Sequence, residues 1–586
     1  MPLSSELEHA DAAGTWPVAL PPPSAQQKQQ GLIVPQPIRP AALVDGTDAA
    51  NQGRRSEPTV PHTPPPTPPP TPTATAATTP ATASTPGNMV EKPDTLHLSG
   101  PQLTEWGHKW FTILARLPMC HSMFWVLFFV LAPLTTGWIH DTLVTSFTYR
   151  FITIWMLYGV TKFAMTMGYC FVGARRCMAA AQVSSDQWRE RVPASNEIQF
   201  DDVVHVVVIP NFAEPVETLA RTLDTLAAQA HSQQLVVVLA MEARDKKAHL
   251  TASTLTARYG SYFMHLLYSI HTVTEGEVGG KSSNENWAMR CAKTRLVDEL
   301  GYDPSHIVVT TCDADTYFHP SHFSYLTYKF CSDESRYLRF WQGCTCFYPN
   351  VHDVPMLCGV RYTLLSVGFL GQLCNPFAYS LPFAVYSLSL NLALEASYWD
   401  PAVIPEDWHM YLRCFYATRG NVGVNPIYLP VGCECVVDDT PWTSLKACYQ
   451  QSKRWQWGAI DVGFIVVMNA IKRAPLLRKI VVLYTAWEHH LLYNVMWIAM
   501  ILAPYIFPTW GYWRFNLWVS FLVWNWLALV MLDGIYRAWL LPRRQHFKHS
   551  TEFFSVHRAV TMMLYPLSDL VLFVVPTFHA HLRMAL

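Results

Sequence analysis

Two aspartates one residue apart, Asp313 and Asp315, follow a β-branched run, Ile307-Val308-Val309-Thr310. In an open α/β sheet, ligands bind beyond the carboxyl ends of the strands. A D-x-D pair at such an end can share one divalent cation with the phosphates of a substrate. Hard oxygen ligands of this kind suit Mg2+ or Mn2+. The plainer alternative is an acidic surface loop. Glu406 and Asp407 lie in Ile-Pro-Glu-Asp-Trp-His-Met, an apolar setting with two aromatic rings. A carboxylate partly withdrawn from water there gains a raised pKa and can act as a base. Pro405 followed by two acids is also a helix-start signal, and both readings can hold together.

A third group is Gln451-Ser452-Lys453-Arg454-Trp455. On a helix, Gln451, Arg454 and Trp455 share one face by i, i+3, i+4 spacing. Trp offers a flat apolar surface for a sugar ring, and Gln and Arg offer donors to hydroxyls or phosphates. The same segment would also serve as an amphipathic interface helix anchored by Trp455 and Trp457. Gly279-Gly280-Lys281-Ser282-Ser283-Asn284 looks like the end of a phosphate-binding P-loop, but Glu275 stands where the first Gly is required. Lys281 beside flexible backbone can still neutralise a diphosphate.

These groups must be positioned by secondary structure, and the sequence between about 185 and 460 supplies it. Val203–Ile209, Leu235–Ala240 and Ile307–Thr310 read as buried strands. Val216–Ala230 reads as a helix with Leu219, Leu223 and Leu226 on one face. Alternating strands and helices imply a mostly parallel, doubly wound sheet.

On either side the texture is apolar. Ser122–Ile139 lacks an ionisable group, and Phe151–Val172 is interrupted only by Lys162. Leu491–Trp513 and Phe515–Leu532 are free of acidic and basic residues apart from the Arg514 between them, and Ala559–Phe578 is broken by Pro566 and Asp569. Each is long enough to be read as a membrane span, the last as a span or a re-entrant segment. Lys109, Arg116, Arg175 and Arg176 flank the first pair; Lys472, Arg473, Arg478, Lys479, Arg537, Arg543, Arg544 and Lys548 flank the second. The positive-inside rule places these flanks, and the domain between them, in the cytosol. Tyr362–Leu394 is also uncharged. A single crossing there would separate the acidic motifs on either side of it, so it is read as a core and membrane-surface segment.

The bulk numbers agree. The 586 residues carry 42 Lys and Arg against 43 Asp and Glu, a net charge of −1 that offers no basic stripe to a nucleic acid. The 22 Trp suit a membrane interface. The 14 Cys form Cys344/Cys346 and Cys433/Cys435 but no C-x-x-C, which excludes a zinc ribbon and fits a reducing cytosol. Residues 1–100, with a Pro/Thr/Ala tract from His62 to Gly87, are expected to be a disordered tail without a signal peptide. Its PPPTPPPTP repeat offers a possible SH3- or WW-type ligand.

Taken in order, the motifs resemble those of the family 2 glycosyltransferases, the group that includes cellulose, chitin and hyaluronan synthases. The matching pieces are Ile209-Pro210-Asn211-Phe212-Ala213-Glu214, Gly280-Lys281-Ser282-Ser283-Asn284, Asp313-Ala314-Asp315, Glu406-Asp407 and Gln451-x-x-Arg454-Trp455. They cover about Asp201 to Asp461 and the flanking spans. The resemblance implies an α/β domain of the GT-A type inserted between transmembrane helices. It implies a tail at 1–100, two spans within 119–175, the cytosolic domain at 185–461, an interfacial segment at 462–482 and two or three spans within 484–580. It implies inverting transfer of a sugar from a nucleotide-diphosphate sugar, with UDP-sugars the expected class, to a glycan or lipid acceptor, using Mg2+ or Mn2+. Glu214, Glu242, Lys281 and Asp313 would bind the donor. Asp313 and Asp315 would hold the metal, Asp407 would be the base, and Gln451, Arg454 and Trp455 would hold the acceptor end and diphosphate. Polysaccharide synthesis is the leading expectation. Single-sugar transfer to a lipid or polyprenol phosphate, and a catalytically dead scaffold, are the alternatives. The expected location is multi-pass in the plasma membrane or the Golgi or endoplasmic reticulum. Pro405 departs from the Thr often found before the Glu-Asp pair.

Overall fold

A computed structural model describes residues 105–136, 143–495, 512–537 and 554–584. The Pro/Thr-rich segment and most of the expected span Leu491–Trp513 lie outside them.

The centre is one eight-stranded sheet in the order β3-β2-β1-β4-β7-β6-β8-β5. The strands are β1 (Val204–Asn211), β2 (Leu235–Glu242), β3 (His265–His271), β4 (Ile307–Thr311), β5 (Thr316–Phe318), β6 (Arg339–Cys346), β7 (Tyr386–Ser389) and β8 (Gly423–Cys433). β3, β2, β1 and β4 are mutually parallel. β7 runs antiparallel to both β4 and β6, β8 is parallel to β6, and β5 is antiparallel to β8. The expected doubly wound half is therefore present, but the sheet as a whole is mixed. The short strands β5 and β7 carry no long apolar run, so periodicity did not mark them.

β1 and β2 are buried nearly throughout because both faces of this half are covered. Their side chains alternate between two cores. Val207, Ile209, Val237 and Leu239 pack on one side, and Val206, Val208, Val236 and Val238 on the other. The helix Val216–Ala227 lays the expected Leu219, Leu223 and Leu226 into the first core, each fully buried. Truncating one to Ala would cost about 2–5 kcal/mol.

Two helices are long and apolar enough to cross a membrane among the described residues, Lys109–Phe128 and Met356–Cys374. A third crossing is possible if Val556–Met562 and Tyr565–Arg583, bent by 48°, count as one. Pro566 stands at that break, as the sequence led one to expect. The expected Phe151–Val172 span is not among them. It lies within Leu143–Ala181, a 39-residue helix roughly 58 Å long at 1.5 Å per residue, whose Arg150, Lys162, Arg175 and Arg176 dilute its apolar content. This helix packs closely on Met356–Cys374: a methyl group on Gly371 would collide with the backbone of Thr166, and one on Gly173 with Leu370 and Cys374. Small residues permit such an approach.

Met356–Cys374 contains the first part, Tyr362–Cys374, of the uncharged run expected to be a core and membrane-surface segment. The strand before it, β6, and the strand after it, β7, pair directly through Phe340↔Leu388, Trp341↔Ser387 and Gln342↔Tyr386. Its two ends thus return to one sheet, and a single crossing would tear that pairing apart.

Candidate active site

The C-terminal ends of β1, β2 and β4 point the same way, and the charged motifs collect there. Gly280 precedes the helix Lys281–Lys293, so Lys281 opens its first turn. Pro405 precedes the helix Glu406–Ala417, and Glu406 and Asp407 open that one. The helix-start reading of Glu406-Asp407 is realised in the local geometry.

Lys281 joins the motifs. Its Nζ lies 2.6 Å from Glu406 Oε1, 3.0 Å from Asp313 Oδ1 and 3.7 Å from Asp407 Oδ1, and donates to the carbonyl of Ala384 at 3.3 Å. Burial alone would lower the ammonium pKa. Asp313, Glu406, Asp407 and Glu285 outweigh it and hold the pKa well above the ordinary lysine value. One cation faces four carboxyl groups, and the carboxyls divide accordingly. Burial would raise the Glu406 pKa, but Lys281 pulls it below the usual range. Asp407 goes the other way: burial and the Glu406 charge push it well above, against Lys281. A carboxyl with a raised pKa is suited to accept a proton near neutral pH.

Asp407 is also fixed in place. Its Oδ2 accepts from the backbone N–H of Ala384 at 2.9 Å. Ala384 has a φ of 53°, in the left-handed region that non-glycine residues avoid. The buried Gln342 on β6 holds this bend: its amide donates to the carbonyls of Phe383 at 3.1 Å and Val385 at 2.9 Å and accepts from Phe383 N–H at 2.9 Å. Behind the same helix, His409 Nδ1 lies 2.8 Å from Asp461 and Arg413 lies 3.1 Å from Asp400. Burial would lower the His409 pKa, but Asp461 and Asp400 raise it to about 9.

Asp315 lies among acidic neighbours. Burial raises its pKa well above the ordinary value, and Asp313, Glu434 and Glu214 add to the shift. Glu434 itself is held by Arg221 at 3.0 Å and by Tyr317. Glu214 follows β1, with its N–H donated to Asn211 Oδ1 at 3.2 Å. Partial desolvation raises its pKa, Arg454 opposes the shift, and Glu434 and Asp313 add to it. Arg454 is therefore near enough to Glu214 for its charge to act on it. It ends the helix Pro441–Trp455, on which Gln451 accepts from Tyr362 OH at 2.8 Å and Trp455 is half-buried. Glu242 ends β2, is wholly buried and is ion-paired with Arg244.

The donor set fits a divalent cation shared with a substrate. Asp313 and Asp315 supply hard oxygens, and the crowding of Asp315 by Asp313, Glu434 and Glu214 is a repulsion that a cation would relieve. Among the described residues no group of three or more His, Cys, Asp or Glu could enclose a metal by itself.

Sequence reasoning missed Glu285, Gln342, Ala384, Glu434, Arg221 and Arg244. Glu285 carries a signal in retrospect: it lies four residues after Lys281 on a helix, where the two share a face. Ala384 carries none, since its role is a backbone bend imposed by β6.

A mixed α/β sheet with a parallel half, carboxylates beyond its strand ends and a lysine among them fits the GT-A class of glycosyltransferase domain. Residues 308–575 of the chain match the model described as glycosyl transferase family group 2. No curated protein matches the chain. Among solved structures it is similar to the mannosyltransferase PcManGT from Pyrobaculum calidifontis in complex with GDP-Man and Mn2+, at 14% identity over 69% of this chain and 98% of that one, with a TM-score of 0.32. It is also similar to S. aureus TarS 1-349 in complex with UDP-GlcNAc, at 11% identity over 63% and 90%, with a TM-score of 0.30.

Proposed function

We propose that this chain is a membrane-bound inverting glycosyltransferase that moves a sugar from a nucleotide-diphosphate sugar to an acceptor hydroxyl in polysaccharide synthesis. The observation that carries the reading is the placement of Lys281 within 4 Å of Asp313, Glu406 and Asp407, which joins a cation for a diphosphate to an acid pair for proton transfer. Asp407 takes the proton of the acceptor hydroxyl, and that oxygen attacks the anomeric carbon from the face opposite the leaving group. Lys281 and Arg454 bind the departing diphosphate, where negative charge develops. Glu214 and Asp313 bind the nucleoside end, with Glu242 buried behind them, and Gln451 and Trp455 hold the acceptor. Asp313 and Asp315 would hold Mg2+ or Mn2+, which supplies further charge neutralisation at the diphosphate.

The domain at 185–461 faces the cytosol, where nucleotide sugars are made, and the apolar helices on either side hold it at the bilayer. The basic residues beside those helices support this orientation. The test is Asp407→Asn. It should abolish transfer from a labelled donor while donor binding stays within a few fold. Loss of a general base typically costs about a hundredfold to ten-thousandfold. Near-normal turnover in the variant would remove Asp407 from the mechanism. A ladder of long products on a gel would support polysaccharide synthesis, and a single lipid-linked sugar would contradict it.

A further inference from the structure

We propose that Arg244 reads the donor's nucleobase and that Glu242 is the residue that positions it. The inference rests on the proposed nucleotide-sugar reading and revises one part of it, since Glu242 was expected to touch the nucleoside itself.

Glu242 is 0% exposed, so its carboxylate is closed off by its neighbours. One oxygen accepts from Arg244 Nε, and the other, Oε2, is buried without a hydrogen-bond partner. Arg244 covers it and is 44% exposed. Its guanidinium lies over the Phe212 ring at 5.1 Å. On another side it meets Gly279, where a methyl group would collide with it. Three segments therefore converge on one cation: the residue after β1, the end of β2 and the turn that leads into Lys281. All lie at the strand ends that carry Asp313, with β1 between β2 and β4. A nucleotide whose diphosphate rests at Lys281 and Asp313 has its base directed along this edge, toward Phe212 and Arg244.

The chemistry of the ligand follows. A guanidinium has five N–H donors and no acceptor. It is matched by a base edge that offers carbonyl oxygens or ring nitrogens. Uracil presents O2 and O4, and guanine presents O6 and N7. Cytosine keeps O2 and N3 and adenine keeps N7 as acceptors, but both carry an exocyclic amino group where uracil has O4 and guanine has O6, so a guanidinium held at that position meets donor against donor. The exposed Phe212 ring supplies a face for stacking. Arg244 thus selects a keto base, and the buried Glu242 fixes its orientation by pairing from below.

The test is equilibrium binding of UDP, GDP, CDP and ADP to the purified full-length protein in detergent with Mn2+. The wild type should bind UDP or GDP at least about tenfold tighter than CDP and ADP. Arg244→Gln should weaken the preferred keto nucleotide by about ten- to a hundredfold, the range for losing a charge-assisted hydrogen bond, and erase the preference. Because that change also strips Glu242 of its partner, Gly279→Ala provides a second test. Gly279 is not in the left-handed region, so Ala is tolerated there, and its methyl displaces the guanidinium while leaving the ion-pair residues present. It should also reduce the preference for a keto base. A folded Arg244→Gln or Gly279→Ala protein with wild-type base preference overturns the assignment of Arg244 alone. A wild type that binds none of the four nucleotides overturns the nucleotide-sugar reading and this inference with it.

Discussion

Replacing Lys281 with Met should destabilise the domain in a way that acid relieves. The side chain keeps its length but loses its charge, and Glu406, only 8% exposed, loses a cation at 2.6 Å. Removing one partner of a buried ion pair costs about 3–5 kcal/mol. The Asp313 contact adds little, because that carboxylate is 40% exposed and screened by water. For an α/β domain of this size each kcal/mol corresponds to roughly 2 °C, so the unfolding midpoint should fall by about 6–10 °C at pH 7.5. In the wild type the Glu406 pKa is lowered by Lys281. That stabilisation is present above the unfolded value, about 4.3, and is lost as pH falls through the folded one. Without Lys281 burial, the largest influence, is opposed only by the hydrogen bonds from Asp407 and the backbone, so the folded pKa of Glu406 rises. The variant is then penalised most at neutral pH, and the penalty fades as Glu406 takes up a proton. Thermal unfolding of both proteins in one detergent at pH 5.0, 6.0 and 7.5 measures the gap. It should narrow steadily toward pH 5.0. An equal midpoint at pH 7.5, or a gap that does not change with pH, would refute the reasoning.

Three further outcomes are expected. Asp315→Ala should weaken both Mn2+ and donor binding, and excess EDTA should abolish wild-type transfer; full activity in EDTA would give the aspartates another task. His409, raised to about 9 by Asp461 and Asp400, contributes stability that is complete below its unfolded pKa of about 6.5 and is lost as pH rises through 9. The shift corresponds to about 3 kcal/mol, so the wild-type midpoint should fall between pH 6.5 and 9.5 and that fall should be smaller in His409→Gln; parallel curves would contradict the assignment. Single cysteines introduced near Asp353 and Asp400 should react alike with a membrane-impermeant reagent in sealed vesicles, because β6 and β7 pair on either side of Met356–Cys374; labelling of one and protection of the other would mean that the helix crosses.

Three of the four strands of the parallel half, β1, β2 and β4, were legible because buried parallel strands are continuous β-branched runs; β3, His-Leu-Leu-Tyr-Ser-Ile-His, lacks such a run and was not read. Val204–Asn211 and Leu235–Glu242 extend the expected strands by two residues or so at their ends. The antiparallel half was not, since β5 and β7 are three and four residues long and owe their existence to pairing with distant strands. The acidic motifs were legible as types and spacing. That Lys281 would sit between Asp313 and Glu406 was not, because it depends on how two helix starts face each other across the sheet. Glu242 shows the limit of reading a role from position: the carboxylate stands at the end of β2 as expected, but a neighbour two residues on covers it.

The central claim is transfer from a nucleotide sugar, and nucleoside diphosphate release tests it most directly. Purified full-length protein is incubated with each of a set of UDP- and GDP-sugars, with Mg2+ or Mn2+, with and without cell-derived glycan and lipid acceptors. The account predicts release from at least one donor that is stimulated by acceptor, requires the metal, and disappears in Asp407→Asn while that variant still binds the donor. Release that persists undiminished in Asp407→Asn, or no release from any donor by a folded wild type, would contradict it.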